Sequence, residues 1–321
     1  AGAAGPDEEG GEQMKQLILS ISPHIRCKKD TGSIMRSVCI ALCPALIAAI
    51  AIFGWRSLLL TGVSVLNCVL LEYLWCRLMK KKPTIGDFSA VVTGMLLALS
   101  VPVGMPIWQL LVGDFIAIVI VKMLFGGLGC NFVNPALVGR VCMMFSFPQS
   151  RTEYANYVSK LYALTSDTPM AAMDKLSGAD FMTLFLGQHG GVIGETCVLA
   201  LLLGGLFLVI RGIIKPIIPL CFMGSTVLFT WLFGGTAPLL SLFAGGLFMT
   251  SIFMATDYVT SPITDWGKVI FGVGCGFFTA AIRVFANAAE GVTFAILLMN
   301  LLVPYINGWT RKKAFGGNYT K

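Results

Sequence analysis

Charge is scarce in this chain. Only 12% of its 321 residues are Asp, Glu, Lys or Arg, about half the ~25% of an ordinary soluble domain. Hydrophobic residues make up 56%, and the mean hydropathy is +0.81. Such a composition excludes a water-soluble globule and reads as an integral membrane protein. Histidine is nearly missing: His24 and His189 are the two present, too far apart to found a metal site. Period-2 alternation is absent from the apolar stretches, which excludes a β-barrel and leaves helices. No apolar core long enough for a cleavable signal peptide stands in the first thirty residues, and the Gly/Ala/Glu tract 1–13 is expected to be disordered. Basic residues interleaved with stacking aromatics are also lacking. The net charge of +7 sits in short clusters beside apolar runs, so it marks membrane orientation and not nucleic acid.

What is there is a succession of apolar runs. They fall at 34–53, 58–79, 88–102, 107–125, 135–147, 193–210, 217–233, 238–254, 269–286 and 292–305, each near the ~20 residues that cross about 30 Å of hydrocarbon or somewhat short of it. The short ones are broken by Gly or Pro, which lipid tolerates only where protein or a cavity satisfies the freed backbone. With the N-terminus in the cytosol, eighteen Lys and Arg residues fall inside and five outside: Arg56, Arg151, Lys160, Lys175 and Arg283. That asymmetry follows the positive-inside rule and favours an even number of crossings, with both termini cytoplasmic. The expected organisation is a cytoplasmic segment 1–33, five helices in 34–147, an extracytoplasmic loop 148–192, five more helices in 193–306 and a cytoplasmic tail 307–321. Five crossings on either side of an external loop give halves of opposite topology, as an inverted repeat requires. The fold class is therefore all-α polytopic membrane protein, about ten transmembrane helices in two inverted five-helix repeats.

A weak internal echo accompanies this arithmetic. Gly126 to Ala136 follows the fourth run and Ala255 to Pro262 the eighth, both polar breaks with a proline, and the two are expected to be counterparts in the two halves. Paired breaks of this kind point to a site near the pseudo-symmetry axis. Asn134-Pro135-Ala136 has the letters of a water-channel box but no second copy, so it reads as an N-cap followed by proline at the first helical position. Acids inside or at the edge of the bilayer are costly and hence functional candidates: Glu72, Asp87, Asp114, Glu195 and Asp257. Glu72 and Asp87 read as partners of the Lys80–Lys82 cluster, whereas Asp114 lies in mid-bilayer and Glu195 at a helix entrance. Cys39 and Cys43 share a helix face but make only two of the four ligands an iron–sulfur cluster needs. They read as inert thiols, like most of the ten cysteines.

Several motifs taken together resemble one family. They are Gly126-Gly127-Leu128-Gly129 with Asn131 and Asn134-Pro135-Ala136-Leu137-Val138-Gly139-Arg140, then Gly194-Glu195-Thr196-Cys197-Val198-Leu199-Ala200, then Ala255-Thr256-Asp257 with Thr260-Ser261-Pro262. From about His24 onward the chain is similar to the membrane D subunits of Rnf complexes, ion-translocating ferredoxin:NAD oxidoreductases, which are homologous to the B subunits of sodium-pumping NADH:quinone reductases. The resemblance implies FMN attached through its phosphate to a threonine hydroxyl in the external loop. In Thr165-Ser166-Asp167-Thr168-Pro169-Met170 the anchor would be Thr168, with Thr165, Ser166 and Pro169 around the flavin. Ser166 and Asp167 stand where the family usually has Gly and Ala. Ser177-Gly178-Ala179-Asp180 keeps three letters of the family pattern but ends in a carboxylate, which forms no stable phosphoester.

The function so implied is that of a translocase subunit, with no activity of its own in isolation. It would pass electrons between ferredoxin and NAD through covalent FMN and a second, non-covalent flavin such as riboflavin, coupled to Na⁺ or H⁺ movement. Asp114, Glu195 and Asp257 are candidates for the ion path or the second flavin. Partners would be the other Rnf subunits, including a second covalent-flavin subunit and iron–sulfur subunits, and a flavin transferase, all at the cytoplasmic membrane of a bacterium or archaeon. The rival readings are an inverted-repeat solute channel or transporter without redox role, and a scaffold that has lost its flavin site.

Overall fold

Apolar runs in lipid must satisfy their own backbone, and the local way to do so is the helix. The computed structural model describes residues 30–81, 84–147, 185, 191–234, 239, 242–243, 246–286 and 291–311. The chain divides into two units, Ala1–Asp30 and Thr31–Lys321. Of the first only Asp30 is described, and every described helix belongs to the second.

The described helices are α1 (Thr31–Phe53), α2 (Trp55–Leu78), α3 (Ser89–Leu99), α4 (Ile107–Phe115), α5 (Pro135–Ser146), α6 (Val198–Ile210), α7 (Ile217–Leu232), α8 (Leu247–Met249), α9 (Asp265–Phe285) and α10 (Gly291–Thr310). Two of them do not end as α-helix. α4 runs on as a π-helix over Ile116–Met123, and α8 does so over Thr250–Met254. Each π segment closes with an i→i−5 bond: Leu124 N donates to Val119 O at 3.0 Å and Ala255 N to Thr250 O at 2.7 Å. π segments are rare and frequent at functional sites.

Four helices, α1, α2, α9 and α10, are long and apolar enough to cross a membrane unaided. Shorter apolar helices are α3, α5, α6 and α7. Boundaries differ from the apolar runs in an informative way. The run 193–210 is helical only from Val198, and 238–254, among the described residues, only from Leu247. In the first case the preceding residues are used otherwise: Gly194 N donates to Leu99 O at 2.7 Å and Ile193 N to Val101 O at 3.1 Å. The entry to α6 thereby supplies donors to buried carbonyls at and just past the end of α3. At Gly194 a Cβ would meet Leu99 O at 3.0 Å, so the backbone approach itself demands glycine.

Close contact through small residues also joins α9 to α7, as expected where lipid supplies no hydrophobic drive for helix association. A Cβ on Gly276 of α9 would lie 2.7 Å from the Thr226 backbone nitrogen of α7. Gly276→Val is accordingly expected to push the two helices apart and destabilise the bundle by about 1–3 kcal/mol or more. A lower thermal midpoint and a broadened size-exclusion peak in detergent would register it; an unchanged midpoint would contradict this packing.

Candidate functional site

Local chemistry explains how the polar breaks are held. Asn134 caps α5, its Oδ1 accepting from Ala136 N at 3.0 Å with Pro135 at the first helical position. Its Nδ2 donates to Met254 O at 3.1 Å, the last residue of the second π segment. The first break is thereby tied to the residue just ahead of the second, and residues of both line one cavity.

Around this junction lies a cavity of about 80 Å³, lined among others by Lys122, Asn131, Asn134, Thr256, Asp257 and Tyr258. Its volume suits an ion or a few waters, and it is far below the roughly 300 Å³ at which pockets for larger organic ligands begin. Asn131 Nδ2 donates to Val133 O at 3.3 Å, while its Oδ1 is buried without a hydrogen-bond partner among the described residues. Asp257, in the connection between α8 and α9, accepts from Thr260 Oγ1 at 3.2 Å and from Val259 N at 3.5 Å. Burial pushes its carboxyl up from the ordinary value, against the pull of those two donors. Tyr258 closes one side by donating its hydroxyl to Ile213 O.

Among the described residues, Lys122–Glu72 and Arg140–Glu195 are ion pairs buried inside the bundle. Lys122, within the first π segment, lies 2.8 Å from Glu72 Oε2, the side chains 3% and 1% exposed. Lys122 Nζ also donates to Ser89 Oγ at 2.6 Å, and Thr84 Oγ1 donates to Glu72 Oε1. Glu72 is thus not a partner of the Lys80–Lys82 cluster, and Asp87 instead accepts from Ser89 N at 2.9 Å and Ser89 Oγ at 2.6 Å. Arg140, in α5, lies 2.7 Å from Glu195 Oε1, side chains 6% and 7% exposed. A Cβ on Gly246, ahead of α8, would meet Glu195 Oε2 at 2.8 Å, so the pair is wedged between α5, the entry to α6 and the start of α8. The orientation count takes Lys122 and Arg140 as cytosolic charges and Arg283 as external. All three are buried and leave that count.

Of the three acids singled out in the sequence, the structure gathers none with another. Asp114 is fully buried and faces α2, accepting from Ser64 Oγ at 2.6 Å and Asn67 Nδ2 at 3.1 Å. Glu195 belongs to an ion pair and Asp257 to the cavity. Sequence reasoning misses Lys122 as a site residue, although a lone cation inside Ile116–Met123 is the kind of intramembrane charge that marks one. Cys43 donates its thiol to Cys39 O at 3.3 Å, and among the described residues no group of three His, Cys, Asp or Glu gathers as a metal site. The segment with Thr165, Ser166, Thr168 and Pro169, and the 177–180 stretch, lie outside the described residues.

Many apolar helices, broken at polar turns, with charges neutralised in pairs inside, define a polytopic helical membrane protein. The chain belongs to the NQR2, RnfD, RnfE family, whose model matches residues 18–316. It is 42% identical over 305 residues to the D subunit of the Na(+)-translocating ferredoxin:NAD(+) oxidoreductase complex of Acetobacterium woodii, covering 94% of this chain and 95% of that one. With the D subunit of the proton-translocating ferredoxin:NAD(+) oxidoreductase complex of Clostridium ljungdahlii it shares 39% over 324 residues, 95% and 98% of the two chains. The D subunit of the ion-translocating oxidoreductase complex of Alcanivorax borkumensis is 34% identical over 331 residues, 94% and 97%.

Proposed function

We propose that this chain is the membrane D subunit of an ion-translocating ferredoxin:NAD oxidoreductase complex, carrying FMN as a phosphoester on Thr168. The observation that carries this is likeness over nearly the full length of both chains to proteins bearing that name. The flavin, once attached, supplies one- and two-electron redox chemistry; the chain's part is to hold it at one face, with Thr165, Ser166 and Pro169 around the anchor. A transferase would deliver it, and the remaining Rnf subunits, with their own flavin and iron–sulfur centres, would complete the electron route. A second, non-covalent flavin such as riboflavin belongs to the same reading.

In this account ten crossings form two inverted halves, α1 to α5 and α6 to α10, with both termini in the cytosol of a prokaryotic inner membrane. Packing supports the pairing: α7 lies on α9 as α2 lies on α4, α9 on α10 as α4 on α5, and the counterparts α1 and α6 touch, as do α5 and α10. Counted within halves, the break after α8 corresponds to the turn after α3 rather than to the one after α4. The Asn134 to Met254 bond thus joins unlike members of the two repeats.

The cavity at that junction is the proposed stopping place for Na⁺ or H⁺, with Asp257 and the free Asn131 Oδ1 as acceptors and the Lys122–Glu72 pair beside it. Removing the one carboxylate is expected to cut ion uptake about tenfold or more. The test is ferredoxin-driven uptake into inverted vesicles carrying the whole complex, Asp257→Asn against wild type. Unchanged uptake would remove Asp257 from the path.

A further inference from the structure

A second, larger cavity of about 500 Å³ opens at the same end of the bundle and has no part in the function above. It lies where the α6–α7 turn meets the connection into α9, and its polar wall includes Lys215, Lys268 and Ser261. Both lysines look toward one carboxylate. Lys215 Nζ is 2.6 Å and Lys268 Nζ 3.8 Å from Asp265 Oδ1, which leaves one positive charge over among the three groups. An ammonium has three donors, so each lysine keeps donors for a further acceptor. The hydroxyls of Thr256 and Tyr258, also in the wall, are committed to the carbonyls of Ile252 and Ile213, leaving Ser261 as the neutral donor.

The surroundings favour an anion as well. α7 begins at Ile217 and α9 at Asp265, so two helix N-termini, with their partial positive charge, end beside the cavity. Ile263 and Trp266 beside the opening, and Trp309 near the end of α10, are widely exposed, the kind of residues found at the level of lipid headgroups. An anionic pocket occupant with an apolar tail is what this combination matches: basic pockets between helices take the phosphates of acidic lipids.

We propose that the cavity binds a phosphate group through Lys215 and Lys268, and that an anionic phospholipid of the adjoining leaflet supplies it. The proposal needs only that this end of the bundle lies at a membrane surface, and it is independent of the redox reading. The test is native mass spectrometry of the full-length chain in detergent with phosphatidylglycerol or phosphatidylcholine added at equal concentration. A several-fold excess of phosphatidylglycerol adducts is expected for the wild type, falling to parity in the K215Q/K268Q double variant. Asp265→Asn, which frees both lysines, is expected to raise the excess. A general folding defect would lower binding in every variant, so opposite signs separate charge from misfolding. A companion arm adds inorganic phosphate alone and reads the thermal midpoint. Stabilisation by phosphate without preference between the lipids would overturn the lipid assignment in favour of a soluble phosphate. Equal uptake of both lipids with no response to phosphate would overturn the site.

Discussion

Thr168→Ala is expected to abolish the fluorescent flavin band of this protein on a denaturing gel, and with it ferredoxin:NAD turnover of the assembled complex. The reasoning is chemical. A phosphoester needs a hydroxyl oxygen as nucleophile, and alanine offers none; the hard electron chemistry belongs to the cofactor, so a complex without it has no substitute. Thr168→Ser, keeping a hydroxyl, is expected to retain part of the band. Should Thr168→Ala remain fluorescent, the anchor lies elsewhere in the loop, with Thr165 and Thr183 the first to map by peptide mass. Loss of the band with turnover intact would instead separate the covalent flavin from the electron route.

The second large effect concerns the Arg140–Glu195 pair. Two charges taken out of water and held 2.7 Å apart satisfy each other, and removing one strips the other of this ion-pair partner inside the bundle, which costs about 3–5 kcal/mol. Arg140→Met and Glu195→Met, each alone, are therefore expected to lower the thermal midpoint in detergent sharply and to reduce the amount of folded protein in the membrane. The double variant, with apolar groups of similar length on both sides, is expected to recover most of that loss, because well-packed hydrophobes replace buried pairs at little net cost. A double variant as unstable as the sum of the singles would contradict the pairing. The double variant also isolates any transport role: full stability with lost ion uptake would place the pair on the path as well as in the frame.

How far the sequence carries one can be judged from individual residues. Asn134 is legible as an N-cap because capping is local: the side chain, the proline after it and the amide it accepts from lie within three positions. The same residue's bond to Met254 spans 120 positions and has no local signal. Glu195 is legible as an intramembrane acid in need of a partner, yet charge counting assigns Arg140 to the cytosolic face, since it treats a basic residue near a helix start as solvated. α5 begins at Pro135, so Arg140 lies a turn and a half inside it. Lys122, near the end of its π segment, is likewise counted as solvated, and Glu72 is misassigned with it, their ion pair bridging 50 positions. Asp114 does lie in mid-helix, but its hydrogen-bond donors, Ser64 and Asn67 on α2, make it a link between helices and not a member of the cavity. The helix starts at Val198 and Leu247 escape the sequence because hydropathy does not tell an apolar helix from an apolar approach segment that caps a neighbour, as Gly194 does for α3.

A flavin tethered outside the bundle by a threonine ester is the central claim, and the intact mass of the protein purified from its own cells tests it most directly. The expected result is the polypeptide mass plus one flavin mononucleotide less water, with the addition traced by fragmentation to Thr168. An unmodified polypeptide from cells that possess the flavin transferase would contradict it.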